Sequence, residues 1–228
     1  MERHFELELE KLKRRILKMG GLVAIQIRNA MDALVNCDAV LAEEVIEADN
    51  QLDELDVKID KLCQRIFALT QPVATDLRLI MAALKMNNDL ERMGDLAVSI
   101  AKKIEGISEY QSIISELKID ELAKDTEVIV RDVIQLLNSR QIVLVRDIYE
   151  NSNIIKDKIQ VISASIIDQM MKKSDVIVVA TNLMIILTYI ERLAGYSTNI
   201  AESIVFLVEG RVVKHSHHHD DPKQQEGS

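Results

Sequence analysis

Apolar positions recur along this chain in steps of three and four, through six successive stretches separated by short polar breaks. The first stretch carries Leu9, Leu12, Ile16, Met19, Val23, Ile27, Ala30 and Leu34 and predicts a helix over residues 5–36. Gly20 and Gly21 fall inside it, at a cost of roughly 1–2 kcal/mol relative to alanine, so a kink or a close helix contact is expected there. Asn36-Cys37-Asp38 reads as a tight turn with Asp38 as the cap of the next helix. That helix is expected over 40–69, with Leu41, Val45, Leu52, Leu55, Ile59, Leu62 and Ile66 as its stripe. Thr70-Gln71-Pro72 ends it: Thr70 can cap, Pro72 suits a first turn, and Asp76 meets the positive end of the helix dipole. The third helix is expected to run to about residue 105, with Gly106 as its stop and 106–112 as a linker. Three more are expected over 113–138, 141–171 and 175–209.

The last predicted helix repeats the third at an offset of 100: Glu91-Arg92, Ile100 and Ala101 correspond to Glu191-Arg192, Ile200 and Ala201. The expected architecture is therefore all-α, two tandem three-helix bundles with an internal pseudo-repeat. The first repeat is placed at residues 1–106, the second at 107–210, and a flexible polar tail at 211–228. His217, His218 and His219 lie in that tail, where nothing scaffolds a closed ligand shell.

Composition agrees with helices. Aromatic residues are 3% of the chain and Gly and Pro number 7 and 2, while Ala, Leu, Ile, Met, Glu and Lys dominate. A net charge of −9 and the lack of any basic, aromatic-rich stretch exclude a general nucleic-acid binder. The charged N-terminus MERHFELELEKLKRR is no signal peptide, so a cytoplasmic location is expected. The most apolar run, 176–190, is shorter than the roughly 20 residues a membrane span needs and is read as a buried helix. Cys37 and Cys63 are expected to stand about 35–40 Å apart along a helix, too far for a disulfide, and their spacing matches no zinc motif.

Carboxylates supply the candidate chemistry. Glu91 and Asp95 are four residues apart and share one helix face; Asp49 and Asp53, in DNQLD, do the same. If the two helices pack side by side, four carboxylates converge, and clustered carboxylates repel unless a cation neutralises them. Asp49, Asp53, Asp56 and Asp60 can equally form a plain solvated face. Arg92 and Arg192 can balance such sites or form ordinary ion pairs. A di-metal oxidase would use Glu-x-x-His pairs, but Glu91 and Glu191 are followed at i+3 by Gly94 and Ala194, and no His lies between His4 and His215. There is no phosphate loop, no GxSxG elbow and no Cys/His pair placed for catalysis, so no enzyme is expected.

Three segments resemble the PhoU family. Gln71-Pro72 with Asp76-Leu77-Arg78 is similar to its QPxxxDLR helix start, and Leu90-Glu91-Arg92-Met93-Gly94-Asp95 to its LERIGD signature. Tyr189-Ile190-Glu191-Arg192 with Thr198-Asn199-Ile200-Ala201-Glu202, then Glu209-Gly210 and Lys214-His215, resemble its second signature and its C-terminal close. The resemblance implies two three-helix repeats. It also implies a cytoplasmic, non-enzymatic regulator that restrains phosphate uptake by the Pst ABC transporter and expression of the Pho regulon. The implied partners are the transporter's ATPase subunit and a PhoR-type sensor kinase. The membrane would be reached only through them, nucleic acid is not a partner, and a homodimer is left open. A metal-binding helical scaffold or adaptor without a phosphate role is the alternative.

Some members of the family bind iron or zinc clusters through ExxxD and DxxxD motifs. Carried over, these place a first-repeat site at Asp49, Asp53, Glu91 and Asp95. All-oxygen ligands suit Mg, Ca or Mn as well as iron or zinc. In the second repeat Gly195 stands where the first has Asp95. An offset of 104 pairs Asp49 and Asp53 with Asn153 and Asp157, and an offset of 103 pairs them with Ser152 and Lys156. In either register fewer carboxylates remain, so any metal is expected mainly in the first repeat.

Overall fold

The structure is a computed structural model and describes residues 2–69, 72–107 and 111–211. Seven α-helices occur among these residues: α1 (Glu2–Asn36), α2 (Ala39–Leu69), α3 (Ala74–Ile104), α4 (Gln111–Glu116), α5 (Ile119–Ser139), α6 (Leu144–Lys172) and α7 (Ile177–Glu209). Six are long and α4 is a single short piece. 3₁₀ turns at Glu105–Ile107 and Ser174–Val176 follow α3 and precede α7. The tail, with His215 and His217–219, lies outside the described residues, as do Thr70 and Gln71.

The helices form where the apolar steps place them, and local chemistry sets their ends. Asp38 caps α2 as expected, accepting from the backbone N–H groups of Val40 and Leu41 at 2.9 and 3.0 Å. Before it, Cys37 takes the left-handed conformation (φ 52°) that closes α1, and the Asp38 N–H donates to Ala33 O at 2.9 Å. Helix α3 starts later than the proline suggested. Its N-cap is Val73, with no side-chain cap bond, so Pro72 precedes the cap and Asp76 keeps its first-turn place.

The expected helix over 113–138 is broken. Leu117 and Ile119 are both buried although only two residues apart, a spacing that no continuous helix can turn to one face. Lys118 takes the left-handed conformation between them (φ 56°) and lets both reach the core. Helix α6 begins three residues later than expected, at Leu144, because Arg140 closes α5 in the left-handed conformation (φ 55°). Gly20 marks a close contact, not a kink: a Cβ there would lie 2.9 Å from Leu137 Cδ2, while α1 continues unbroken.

Helices α1, α2 and α3 pack on one another, as do α5, α6 and α7. The two sets join through α3 against α7 and α1 against α5, leaving α2 and α6 on the outside. One apolar core runs through both, with Leu12, Met19, Ile27, Met31, Leu90, Met93 and Ile100 fully enclosed. Helix α7 is long and apolar enough to cross a membrane by length and composition, beyond what the run 176–190 suggested. It packs against α3, α5 and α6 and buries Leu183, Ile186, Leu187, Ile190 and Leu193 there, while Ile177 and Val178 near its start are exposed. Cys37 and Cys63 are free thiols, and burial first, then Asp60, pushes Cys63 up to about 12.

Candidate metal centre

The acidic face of α2 lies along α3. Its residues follow a 4-3-4 spacing (Asp49, Asp53, Asp56, Asp60), beside the buried stripe of Val45, Leu52, Leu55 and Ile59. Asp53 is exposed, and Asp49, Asp56 and Asp60 are half-buried. Across from them α3 presents Asn87, Glu91 and Asp95, again four residues apart. The close approach depends on Gly94. A Cβ at this position would lie 2.7 Å from Leu52 Cδ1, 3.3 Å from Gln26 Oε1 and 3.6 Å from Asp49 Oδ1. A side chain here would have to displace the ends of Leu52 and Gln26, so glycine favours the close packing of α1 and α2 over α3 at this level.

Two buried amides hold the carboxylates. Gln26, 4% exposed, donates from Nε2 to Asp49 Oδ1 at 3.0 Å and to Val45 O at 3.2 Å. Asn87, 1% exposed, donates from Nδ2 to Asp56 Oδ1 at 2.6 Å and to Asp60 Oδ1 at 3.1 Å. The amide oxygens, Gln26 Oε1 and Asn87 Oδ1, are buried without a hydrogen-bond donor. The carboxylates feel one another. Burial, then the charges of Asp53 and Asp95, raises Asp49, against the hydrogen bond from Gln26 and the charge of Lys102. Burial, then Asp95, raises Glu91, with Asp56 adding and Arg92 opposing. Burial and Asp60 raise Asp56, which Asn87 opposes. Arg92 alone forms ion pairs here among the described residues, at 3.5 Å to Glu91 and 3.4 Å to Asp95. It is half exposed, so these pairs contribute little.

The structure brings Asp49, Glu91 and Asp95 into one another's field across the α2–α3 seam through Asp95, while Asp53 lies at the exposed edge and acts on Asp49 and Asp56 of its own helix. The donors are oxygens, which fits a hard cation. The arrangement is a seam and not a closed shell: among the described residues no three His, Cys, Asp or Glu side chains stand ready to ligate one ion. Arg92 occupies Glu91 and Asp95 instead. Gln26, Asn87 and Gly94 were not read as site residues from the sequence. The one signal for Asn87 was its place four residues before Glu91; Gln26 gave none beyond interrupting an apolar stripe.

The second repeat carries the same seam with all but one of these acids replaced. Burial settles the register left open above. An offset of 103 matches Val45, Leu52, Ile59 and Cys63 to the buried Ile148, Ile155, Ile162 and Ile166. Asp49 then corresponds to Ser152, Asp53 to Lys156 and Asp56 to Ile159. Asn153 and Asp157, the alternatives, are exposed. On α7 Asn87 corresponds to Leu187, and Glu191 remains but is exposed. Gly195, in place of Asp95, faces open space, and Arg192 reaches the Tyr196 hydroxyl at 3.5 Å instead of a carboxylate.

A separate buried acid sits between the repeats. Asp89 on α3 is 5% exposed and accepts from Asn199 of α7, while its Oδ2 has no hydrogen-bond donor. Burial raises it to about 6, opposed by Lys85 and reinforced by Glu202. Glu202 in turn accepts from the Tyr149 hydroxyl at 3.3 Å.

Comparison with known proteins follows the same division. Residues 16–104 and 119–204 each match the PhoU domain. The chain is 30% identical to the phosphate-specific transport system accessory protein PhoU homolog of Pseudomonas aeruginosa, over 94% of this chain and 89% of that protein. It is 33% identical to the protein of that name from Serratia marcescens (92% and 87%) and 32% identical to that from Escherichia coli K12 (92% and 88%). The crystal structure of PhoU from Pseudomonas aeruginosa superposes with a TM-score of 0.84 at 29% identity, covering 91% of this chain and all of that one. The phosphate transport system regulatory protein PhoU from Streptococcus pneumoniae superposes with a TM-score of 0.82 at 30% identity, covering 92% and 99%.

Proposed function

The chain belongs to the PhoU family, and from that premise we propose that this accessory protein of phosphate transport is a negative regulator of uptake and of phosphate-starvation signalling. It acts through contacts with the Pst transporter's ATPase subunit and a PhoR-type sensor kinase, in the cytoplasm and without catalysis of its own. The observation that carries this reading is the doubled PhoU domain, present over both helical repeats with its relatives' full architecture. Deleting the gene should raise phosphate uptake or starvation-gene expression in phosphate-rich medium. Unchanged uptake and expression, with the transporter intact, would leave only the scaffold reading.

The first-repeat seam adds a cation to this proposal. Asp49, Asp53, Glu91 and Asp95 would hold an iron, zinc, magnesium, calcium or manganese ion once Arg92 releases Glu91 and Asp95. Bound there, the ion would neutralise the crowded carboxylates and tie α2 to α3. Elemental analysis of protein purified without chelator, together with the shift in melting temperature on adding each metal, tests it. A metal-free protein that no metal stabilises would rule it out.

A further inference from the structure

At the end of the molecule where α1 and α3 begin and α5 and α7 finish, the four inner helices leave a slot of about 230 Å³. Ile16, Leu79, Leu137 and Ile204 floor it, one from each helix, so both repeats build it. It is smaller than the roughly 300 Å³ lower bound for drug-sized ligands, and suits a single apolar side chain. Its rim is basic. Lys13, Arg14 and Arg140 all act on Glu10, holding that carboxylate below its usual range, with Lys13 dominant. Lys13 is paired with Glu10 at 2.5 Å. Arg14 and Arg140 are exposed, and neither has an ion pair among the described residues.

Two guanidinium groups without an ion pair among the described residues thus stand beside one apolar slot, on a chain of net charge −9. Arg140 also sits where a helix end favours glycine. It closes α5 in the left-handed conformation, the role Gly210 fills for α7. An arginine there strains the backbone while placing a cation over the slot.

We propose that this slot is a docking socket for a partner protein segment that inserts one apolar side chain between flanking acidic residues. Charge complementarity selects that occupant: the socket attracts carboxylates locally, against the chain's net charge of −9. The small apolar floor supplies the anchor point such interfaces use. The inference rests on the proposed function for its probes, the transporter's ATPase subunit and the cytoplasmic part of the sensor kinase.

Binding of each purified probe to the full chain is to be measured by calorimetry at two salt concentrations, for wild type, R14E/R140E and Arg140→Gly. Wild type should bind one probe, more weakly at higher salt. R14E/R140E should lose at least about tenfold in affinity, as removal of charged interface anchors commonly does. Arg140→Gly should melt about 2–4 °C higher, because the strain is relieved, yet bind more weakly. A purely structural role for Arg140 cannot move those two readouts in opposite directions. Wild-type binding that both variants retain overturns the socket and leaves the proposed function standing. Failure of wild type to bind either probe removes the proposed function and the socket with it. A salt-sensitive dimer, or adsorption to anionic phospholipid vesicles, that R14E/R140E abolishes while probe binding persists assigns the residues to another occupant and overturns the proposal.

Discussion

The two repeats share an architecture and differ in the seam between their second and third helices. In the first repeat Asp49, Asp56, Asn87, Glu91 and Asp95 line it; in the second the same positions hold Ser152, Ile159, Leu187, Glu191 and Gly195. The second repeat acts as a built-in control. It folds with Ser152, Ile159, Leu187 and Gly195 where the first has three acids and an amide, so those groups are not something this helix pairing requires. They are a burden there, since burial and mutual repulsion raise Asp49, Asp56 and Glu91. Gln26 and Asn87 are buried to hold them, each leaving an amide oxygen unpaired. Groups kept at such a cost, in one repeat only, point to a task outside folding.

The largest expected effect tests that contrast directly. If the first-repeat seam holds the proposed cation, Asp95→Ala should remove most of it and Glu191→Ala little, read by elemental analysis of chelator-free protein. A full cluster near Glu191 with none near Glu91, seen by anomalous scattering, would reverse the assignment of the two repeats.

Asp89 sharpens the contrast, because Tyr189 stands at the matching position of the second repeat. Its folded value of about 6 lies above the ordinary 3.8, so ionised Asp89 opposes folding. Its contribution should therefore improve as pH falls from about 7 towards 4, by up to about 2–3 kcal/mol. Asp89→Asn should stabilise the protein at pH 8 and flatten this trend in chemical denaturation. An identical pH dependence in wild type and variant would show that Asp89 is solvated or otherwise paired.

The smallest effect compares two glycines. Gly94→Ala must push aside Leu52 Cδ1 and Gln26 Oε1, and should cost about 1 kcal/mol or more even after the gain in helix propensity. Gly195→Ala meets nothing within 4 Å and should stabilise by about 0.5–1 kcal/mol. Equal signs in thermal melts would mean that Gly94 is not the point of closest approach.

Much of this was legible in the sequence because helix periodicity is local. Steps of three and four marked the long helices, Asp38 announced its own cap, and the offset of 100 exposed the repeat. Glu91 and Asp95 could be placed on one face from spacing alone. What failed was also local but needed the core as reference. The break at Lys118 follows from burying both Leu117 and Ile119, and an apolar pair two residues apart does not by itself say that both face inward.

By itself the sequence determined the all-helical class, the duplicated three-helix plan and the carboxylate ladders, since each follows from residue order along one helix. Only the tertiary structure decided the register of 103 on α6, the amides of Gln26 and Asn87 under the acids, and the meeting of Lys13, Arg14 and Arg140 at one slot. Those depend on how closely and at what height separate helices pack. That is set by side-chain volume at contacts such as Gly94 against Leu52, between residues more than forty positions apart in the chain.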